Sequence, residues 1–384
     1  MRPPLSRKLA GFGTTIFTEM TRLANQHAAI NLAQGFPDFD GPDFVKEAAV
    51  DAIRAGHGQY ARMAGIPPLV AALSTSYARR GLAYDPETEL TVTSGCTEAI
   101  FAAIQGICDV GDEVILFEPY YDSYRAAVCM AGATPRVVTL RRPDWSFDVD
   151  ELRRAFSPRT RAILVNTPHN PTGKVYRRDE LEAIARLCEE HGVIALSDEV
   201  YEELVYDGEH VSIAALPGMR DRTIVLSSLG KTFSLTGWKV GWAAAPAPLS
   251  AAVRAAHQFV TFATATPLQH AAVRALADGA PYVAQLRADL HRKRDRLVGA
   301  LDGLGFDVRA PAGTYFVCAG FERLHAGDDV SFCKRLVTDF GVAAIPPSAF
   351  YSQSREGGTY VRFAFCKRDD TLDAALTRLA RLAS

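Results

Sequence analysis

The run Ser227-Ser228-Leu229-Gly230-Lys231-Thr232-Phe233-Ser234-Leu235-Thr236-Gly237-Trp238-Lys239 follows directly after the apolar, strand-like stretch 223–226. Small residues and glycines surround Lys231, and a second cation, Lys239, stands eight positions later. An amine becomes a nucleophile toward an aldehyde only when it can lose its proton, which requires a desolvated pocket or a nearby positive charge. Lys239 can supply that charge and can also neutralise a phosphate. The run therefore predicts a site for a phosphorylated aldehyde cofactor, and its simplest alternative is a surface lysine beside a loop.

From about residue 89 onward, short β-branched segments alternate with helical patterns. Strands are predicted at 90–93, 113–117, 162–165, 193–196 and 223–226, and helices at 98–107, 124–130 and 179–190. Such an alternation is typical of βαβ units, which form a mostly parallel sheet with helices on both faces. In that architecture ligands bind outside the carboxyl ends of the strands. The predicted fold class is therefore α/β, with the site at the strand ends.

Beyond about residue 275 the pattern changes to a long charged helix at 284–301, followed by short strands near 306–308, 314–317 and 360–365. We interpret this region as a second, smaller α+β domain on which the N-terminal segment packs. The predicted organisation is an N-terminal arm and part of the small domain at 1–45, a large cofactor-binding domain at 46–275 and a small C-terminal domain at 276–384.

The composition argues against several classes of partner. With 384 residues, 48% hydrophobic and 22% charged, the chain has the profile of a globular protein, and its net charge of −2 gives no general attraction to nucleic acid or to an anionic membrane. No run approaches the roughly 18 apolar residues of a membrane span, and the basic N-terminal segment 1–10 has no apolar stretch behind it, so we expect a cytoplasmic protein. Seven cysteines without a C-x-x-C pair predict neither a disulfide framework nor a metal site.

The loop 166–173, Asn-Thr-Pro-His-Asn-Pro-Thr-Gly, comes directly after a predicted buried strand. Two asparagines, two prolines and a glycine within eight positions predict a tight, preorganised turn. Asn170, held between His169 and Pro171, can donate its side-chain amide to a cofactor oxygen with little loss of entropy. The alternative is an ordinary rigid loop, but the position after a buried strand favours binding.

Asp198 lies in Ser197-Asp198-Glu199-Val200-Tyr201, immediately after the predicted strand 193–196. A carboxylate at the end of a buried strand is costly unless it pairs with a cation or a strong donor. A protonated pyridine nitrogen is such a partner, and Asp198 would keep that ring charged so that it can accept electrons. Tyr201, three residues later, is expected to reach the phenolic oxygen of the ring. The alternative role for Asp198 is to cap the next helix.

The run Thr93-Ser94-Gly95-Cys96-Thr97-Glu98 passes from a strand through a glycine into a helix. Free N–H groups at the helix start, around Gly95 and Cys96, together with the Thr97 hydroxyl predict a phosphate site, although many βα turns look similar. Tyr121 follows the next predicted strand and is a candidate to stack on a planar ring, with a core position as the alternative.

Arg362 stands among apolar residues in the predicted strand 360–365, where a guanidinium requires an anionic partner. It can bind an α-carboxylate with two parallel hydrogen bonds, and a structural salt bridge is the alternative. Gly35, in Asn31-Leu32-Ala33-Gln34-Gly35-Phe36, would allow the backbone to approach the same carboxylate closely.

Taken together, the 166–173 loop, the 197–201 segment, the run 228–239 and Arg362-Phe363 resemble the class I and II pyridoxal-phosphate aminotransferases of fold type I. The resemblance covers nearly the whole chain. Segments 31–42, 117–124 and 363–367 are most similar to the branch that holds kynurenine, glutamine and methionine aminotransferases and some bacterial succinyldiaminopimelate aminotransferases.

The resemblance implies a role for each candidate residue. The family lysine that matches Lys231 carries the aldehyde of pyridoxal 5'-phosphate as a Schiff base. The ring is held by side chains that match Asp198, Tyr201 and Asn170, and the stacking aromatic matches Tyr121. The positions around the phosphate match Cys96, Thr97, Ser228 and Lys239.

A tyrosine that matches Tyr60 reaches the phosphate of the neighbouring subunit, so the resemblance also implies a homodimer with shared sites. The chain departs from the family pattern at two positions. Lys239 stands where many relatives have arginine, which replaces a fork of donors with a point charge, and Cys96 stands where alanine or glycine is common.

The implied function is a ping-pong transfer of the amino group from an L-amino acid to a 2-oxo acid. The aromatic residues Phe17, Tyr60 and Tyr121 favour a neutral, sulfur-containing or aromatic donor. N-succinyl-diaminopimelate is an alternative donor, although it needs a further cation that the sequence does not identify. β-Elimination of cysteine conjugates on the same cofactor is a different candidate reaction. A non-catalytic cofactor-binding module is disfavoured because every expected catalytic residue is present and the chain has no additional DNA-binding segment.

Overall fold

The computed structural model describes residues 6–383, so residues 1–5 of the predicted N-terminal arm and Ser384 lie outside the described part. The α-helices are α1 Ile16–Gln26, α2 Asp43–Arg54, α3 Pro67–Ala78, α4 Gly95–Ile107, α5 Asp122–Met130, α6 Val149–Ala155, α7 Arg178–His191, α8 Leu229–Thr232, α9 Ala247–Val260, α10 Thr266–Asp278, α11 Ala280–Gly303, α12 Asp329–Phe340 and α13 Asp369–Leu379. The strands are β1 Ile30–Asn31, β2 Leu90–Thr93, β3 Glu113–Glu118, β4 Thr134–Thr139, β5 Thr160–Asn166, β6 Ile194–Asp198, β7 Thr223–Ser228, β8 Gly241–Ala244, β9 Asp307–Val308, β10 Phe316–Gly320, β11 Val342–Ala343 and β12 Tyr360–Ala364.

A seven-stranded sheet with the order β2-β8-β7-β6-β5-β3-β4 forms the centre of the fold. Strands β3 to β7 pair in parallel, whereas β8 runs antiparallel to both β7 and β2. The predicted α/β class with a mostly parallel sheet is therefore confirmed. Because parallel strands end at the same edge, Asn166 at the end of β5 lies beside Asp198 at the end of β6.

Both faces of the central strands of this sheet are buried. In β5, Ala162 and Leu164 pack into one hydrophobic cluster, whereas Ile163 and Val165 pack into another on the opposite face. This alternation follows from the two-residue period of a strand, and the near-continuous apolar sequence is typical of a strand covered by helices on both sides. The covered sheet leaves only its strand ends open for polar chemistry.

The C-terminal region contains a smaller antiparallel sheet with the order β12-β10-β9. Strand β1, from the N-terminal segment, pairs in parallel with β11 of the C-terminal region. The predicted domain boundaries at 45 and 275 remain predictions. Within residues 6–383, no helix is both long enough and apolar enough to cross a membrane.

Candidate active site

A cavity of about 440 Å³ lies at the carboxyl ends of the parallel strands. Twelve of the thirteen predicted site residues line it: Gly35, Gly95, Cys96, Thr97, Tyr121, Asn170, Asp198, Tyr201, Ser228, Lys231, Lys239 and Arg362. Tyr60 does not line this cavity and is 86% exposed on the surface. The fold thus brings together residues that are separated by more than 300 positions in the sequence.

Lys231 lies on the single-turn helix α8, which follows β7. Its ammonium group lies 5.9 Å from the centre of the Tyr201 ring and makes no hydrogen bond or ion pair with any described residue. Burial is the largest cause of a lowered pKa at Lys231, and the charge of Lys239 lowers that pKa further. A buried amine that loses its proton easily and has no protein partner is available to react with an aldehyde.

Asp198 is 4% exposed, and both of its carboxylate oxygens already accept bonds from the protein. Oδ1 accepts from the Val200 N–H at 3.2 Å and lies 3.7 Å from the Cys96 thiol, and Oδ2 accepts from the Tyr124 hydroxyl at 2.5 Å. Burial raises the pKa of Asp198, and these bonds oppose the rise. A buried carboxylate that faces a cavity without a charged hydrogen-bond partner fits a site for a cationic ring nitrogen.

Tyr124 was not identified as a site residue from the sequence. It is buried, lines the cavity and lies in helix α5, three positions after Tyr121. The signal that could have found it is this spacing, because residues three apart share one face of a helix. The rings of Tyr121 and Tyr124 meet edge to face at 5.8 Å. Asp122, Phe316 and Asn166 also line the cavity and were likewise not predicted as ligands.

Two asparagines connect Asp198 to Arg362 through a chain of hydrogen bonds. The Asn166 side-chain amide donates to the backbone oxygen of Asp198 at 3.0 Å, and the Asn166 Oδ1 atom accepts from the Asn170 N–H at 2.8 Å. Asn170 in turn accepts from Arg362 Nη1 at 3.0 Å through its own Oδ1. The Asn170 amide nitrogen therefore remains free to donate into the cavity.

Arg362 is 1% exposed and has no carboxylate partner among the described residues, so the salt-bridge alternative is wrong. Besides Asn170, its Nη2 atom donates to the backbone oxygen of Ala33 at 2.9 Å, and its Nε atom is buried without a partner. Its guanidinium carbon lies 4.1 Å from the ring centre of Phe316, and the rings of Phe17 and Phe350 are each at 5.4 Å. This aromatic enclosure fixes a cation that still lacks an anion.

The opposite end of the cavity fits a phosphate. Gly95, Cys96 and Thr97 form the first turn of the 13-residue helix α4, whose free N–H groups favour an anion. Lys239 has φ of 54°, an uncommon left-handed conformation for a lysine, and a Cβ added at Gly95 would lie 3.0 Å from Lys239 Nζ. Glycine at position 95 therefore leaves room for the lysine beside the helix start.

Gly35 is required by packing. A Cβ atom at this position would lie 2.6 Å from the Phe316 ring, which is the ring that packs on Arg362. The Gly35 backbone oxygen accepts a 2.7 Å hydrogen bond from the Tyr315 hydroxyl. Gly35 thus lies beside the Arg362 end of the cavity, where only a residue without a side chain fits.

A sequence model of the family described as "Aminotransferase class I and II" matches residues 28–379. The chain is 47% identical to the probable N-succinyldiaminopimelate aminotransferase DapC of Mycobacterium tuberculosis, with 98% of each chain covered. It is 41% identical to the methionine aminotransferase of Escherichia coli, with 98% of this chain and 97% of the relative covered. The solved structure of the M. tuberculosis N-succinyldiaminopimelate aminotransferase superimposes with a TM-score of 0.96 over 99% of this chain and 100% of that one, at 47% identity.

Proposed function

The chain belongs to the class I and II aminotransferases, which are pyridoxal-phosphate-dependent enzymes, and we propose on this basis that it transfers the amino group of a neutral L-amino acid to a 2-oxo acid. The single observation that supports the proposal best is the partnerless Lys231 amine, which faces a cavity bounded by Asp198 and Arg362. These groups match the three needs of the reaction: an amine for the aldehyde, a carboxylate for the ring nitrogen and a guanidinium for the substrate carboxylate.

Pyridoxal phosphate, when bound, supplies an aldehyde that condenses with amines and a ring that accepts electrons from the substrate α-carbon. Asp198 would keep the ring nitrogen protonated, and Tyr201 and Asn170 would donate to the phenolic oxygen. Tyr121 would stack on the ring. The phosphate would be held by the first turn of α4, the Ser228 hydroxyl and Lys239, all of which line the same cavity.

Lys231 serves two purposes in the proposed mechanism. Burial lowers its pKa, which favours the neutral amine that would bond to the cofactor aldehyde. With the cofactor bound, the Lys231 Nζ atom would also be the base that accepts the proton from the substrate α-carbon in a proton transfer within the cavity. The buried position keeps water away from this transfer.

Arg362 binds the substrate α-carboxylate. Its Nε atom lacks a partner, and the Phe17, Phe316 and Phe350 rings hold the guanidinium in one orientation. A guanidinium that is already ordered loses little entropy when it forms hydrogen bonds with a carboxylate. The fixed carboxylate orients the α-carbon toward Lys231.

The charges of the cavity support a neutral donor side chain. Its lining includes three basic side chains, Lys231, Lys239 and Arg362, and each has a proposed role at the aldehyde, the phosphate or the α-carboxylate. The lining also includes Asp122, whose pKa is raised by burial. No further lysine or arginine of the described residues lines the cavity to pair with a second substrate carboxylate.

N-succinyl-diaminopimelate remains a second candidate donor because of the 47% identity to a probable N-succinyldiaminopimelate aminotransferase. This donor carries additional carboxylates, which would need cations from outside the cavity lining of one subunit. The two proposals therefore differ in one requirement. N-succinyl-diaminopimelate needs additional positive charge at the open side of the cavity, whereas a neutral donor does not. A β-elimination of cysteine conjugates would use the same residues on the same cofactor.

We further propose a homodimer. Tyr60 is 86% exposed, and its ring packs edge to face on Phe262 at 5.6 Å between ring centres. Phe259, which precedes Phe262 in the sequence, is 85% exposed. Exposed aromatic residues of this kind typically mark an interface. In a symmetric dimer, Tyr60 of one subunit would reach the phosphate end of the other.

All seven cysteines are free, which supports a reducing compartment such as the cytoplasm.

The proposal is tested by single-turnover reactions. The enzyme loaded with pyridoxal phosphate is mixed with one amino donor at a time, without an acceptor, and the loss of cofactor absorbance is followed. Methionine, glutamine, phenylalanine and kynurenine are expected to react faster than aspartate and glutamate. A preference for N-succinyl-diaminopimelate over all of these would favour the second candidate, and pyruvate with ammonia from a cysteine conjugate would reveal β-elimination.

A further inference from the structure

The turn that follows β6 separates two pairs of residues. The Glu202 N–H donates to the Glu199 oxygen at 2.9 Å, which closes a turn with a three-residue spacing. In such a turn, residues three apart lie on the same side. Accordingly Asp198 and Tyr201 line the cavity, whereas Glu199 and Glu202 do not. The two groups proposed to hold the cofactor ring thus share a short turn with two buried carboxylates.

Glu199 is 1% exposed and fully bonded. Its Oε1 atom accepts from Ser197 at 2.7 Å and from Ser212 at 2.6 Å, and its Oε2 atom lies 3.0 Å from His210 Nε2. Burial disfavours the charged forms of both Glu199 and His210. The attraction between the two groups outweighs burial, so the pKa of Glu199 is lowered and the pKa of His210 is raised. The contacts of Glu199 with Ser212 and His210 connect the turn to the loop around residue 210.

Glu202 pairs with a different element. Arg80, just beyond the end of α3, places Nη1 3.0 Å from Glu202 Oε1, and the Ser227 hydroxyl donates to the same oxygen at 3.3 Å. The Glu202 side chain is 8% exposed, and its Oε2 atom has no partner. Burial raises the pKa of Glu202, and the charge of Arg80 opposes this rise. Without Arg80, this carboxylate would be buried and unpaired, which is strongly destabilising.

Glu199, Glu202 and His210 bring potential metal-ligand atoms within 4.8 Å of one another. Glu202 already pairs with Arg80, and Glu199 already accepts from Ser197 and Ser212 and contacts His210. The cluster is therefore explained by contacts within the protein that hold the turn.

We propose that Arg80 and His210 are positioning residues for the cofactor ring, which they align through Glu202 and Glu199 on the turn that carries Asp198 and Tyr201. The inference rests on the proposed function, since it assumes that those two side chains contact the ring. Neither Arg80 nor His210 lines the cavity, so each acts through its carboxylate partners, which for Arg80 are Glu202 and the adjacent Glu203. A displacement of the turn by a fraction of an ångström would misalign both ring contacts together.

The experiment compares Arg80→Met, Arg80→Lys and His210→Gln with the wild-type enzyme. Arg153→Met is the matched control, because it breaks an ion pair with Glu190 in which the side chains are 55% and 50% exposed. The readouts are the dissociation constant of pyridoxal phosphate and the pH midpoint of the absorbance change of the bound cofactor, each measured without substrate. Thermal melting of the apo-protein reports folding separately.

We expect Arg80→Met and His210→Gln to weaken cofactor binding by roughly tenfold and to shift the absorbance midpoint. Arg80→Lys should recover most of both properties, and Arg153→Met should match the wild type. If Arg80→Met does not fold, Arg80→Met combined with Glu202→Gln removes both charges and must show the same shift. Folded variants with wild-type binding and midpoint would overturn the proposal, whereas a wild-type protein that binds no cofactor would overturn the proposed function instead.

Discussion

The Tyr124 hydroxyl donates a 2.5 Å hydrogen bond to Oδ2 of Asp198, the carboxylate that ends strand β6. This bond is short and charge-assisted, a kind that contributes about 1.5–3 kcal/mol in proteins. It holds the carboxylate in one orientation inside a cavity where burial alone would favour the protonated acid. Tyr124 therefore supports both the charge and the direction of the group that is proposed to face the ring nitrogen.

Replacing Tyr124 with phenylalanine removes this donor and keeps the ring. The Tyr124→Phe variant should have a kcat about tenfold lower, because a less ionised Asp198 stabilises the ring charge less well. Its KM for the amino donor should change much less, since Arg362 is untouched. Tyr176→Phe is the control, because the Tyr176 hydroxyl is buried without a partner. Equal kcat values for Tyr124→Phe and the wild type would contradict the assigned role.

Gly35→Ala tests the carboxylate end of the cavity. The added Cβ would lie 2.6 Å from the Phe316 ring, so this ring, which packs on Arg362, must shift. We expect a loss of about 1–3 kcal/mol in the free energy of unfolding and a higher KM for the donor. Gly299→Ala, in helix α11 with nothing within 4 Å, should instead gain roughly 0.5–1 kcal/mol and leave KM unchanged. Urea unfolding and initial rates measure both effects.

The sequence predicted which residues line the cavity better than it predicted the contacts that support them. Residues at strand ends, such as Asp198 and Asn170, could be assigned because a parallel sheet gathers its carboxyl ends at one edge. The donor from Tyr124 and the aromatic enclosure of Arg362 depend on long-range packing, which no local pattern encodes. The position of Tyr60 outside the cavity of its own subunit was implied by the family resemblance and not by any local pattern.

Local backbone effects explain why some predicted boundaries were wrong. Strand β10 begins at Phe316 and not at residue 314, because Thr314 has φ of 66°, which is incompatible with an extended strand. Helix α11 begins at Ala280 and not at residue 284, because proline is favoured in the first turn of a helix and Pro281 lies there. Strand β8, which is antiparallel to its neighbours, was not predicted at all.

The lowered pKa of Lys231 predicts a pH dependence of the apo-protein. Between this folded-state pKa and the ordinary value of 10.5, the unfolded chain binds more protons at this position than the native one. Below this pH range, Lys231 therefore lowers the free energy of unfolding of the apo-protein. This destabilisation is lost as the pH rises through the range. Each unit of depression corresponds to about 1.4 kcal/mol.

The measurement is urea unfolding of the wild-type apo-protein and of Lys231→Met at about pH 7 and about pH 9.5. Lys231→Met should be the more stable at the lower pH, and the difference should shrink at the higher pH. A difference that stays constant between the two pH values would show that Lys231 titrates normally in the folded protein.

The proposed dimer is tested on its exposed aromatic residues. Phe259→Glu introduces a charge at a side chain that is 85% exposed, and burying that charge in an interface would cost several kcal/mol. We expect sedimentation to show a monomer and pyridoxal phosphate to bind more weakly. Val110→Glu, at an apolar position that is 86% exposed, should leave the dimer intact. A dimeric Phe259→Glu variant would place the interface elsewhere.

Borohydride reduction tests most directly whether the Lys231 amine bonds to the cofactor aldehyde, on which the proposed chemistry depends. The loaded enzyme is reduced, digested with trypsin and analysed by mass spectrometry. Modified Lys231 resists cleavage, so we predict that the pyridoxyl group is found on one peptide that spans residues 223–239. A reduced enzyme that is still cleaved after Lys231, or that carries the group on another lysine, would contradict the assignment of Lys231.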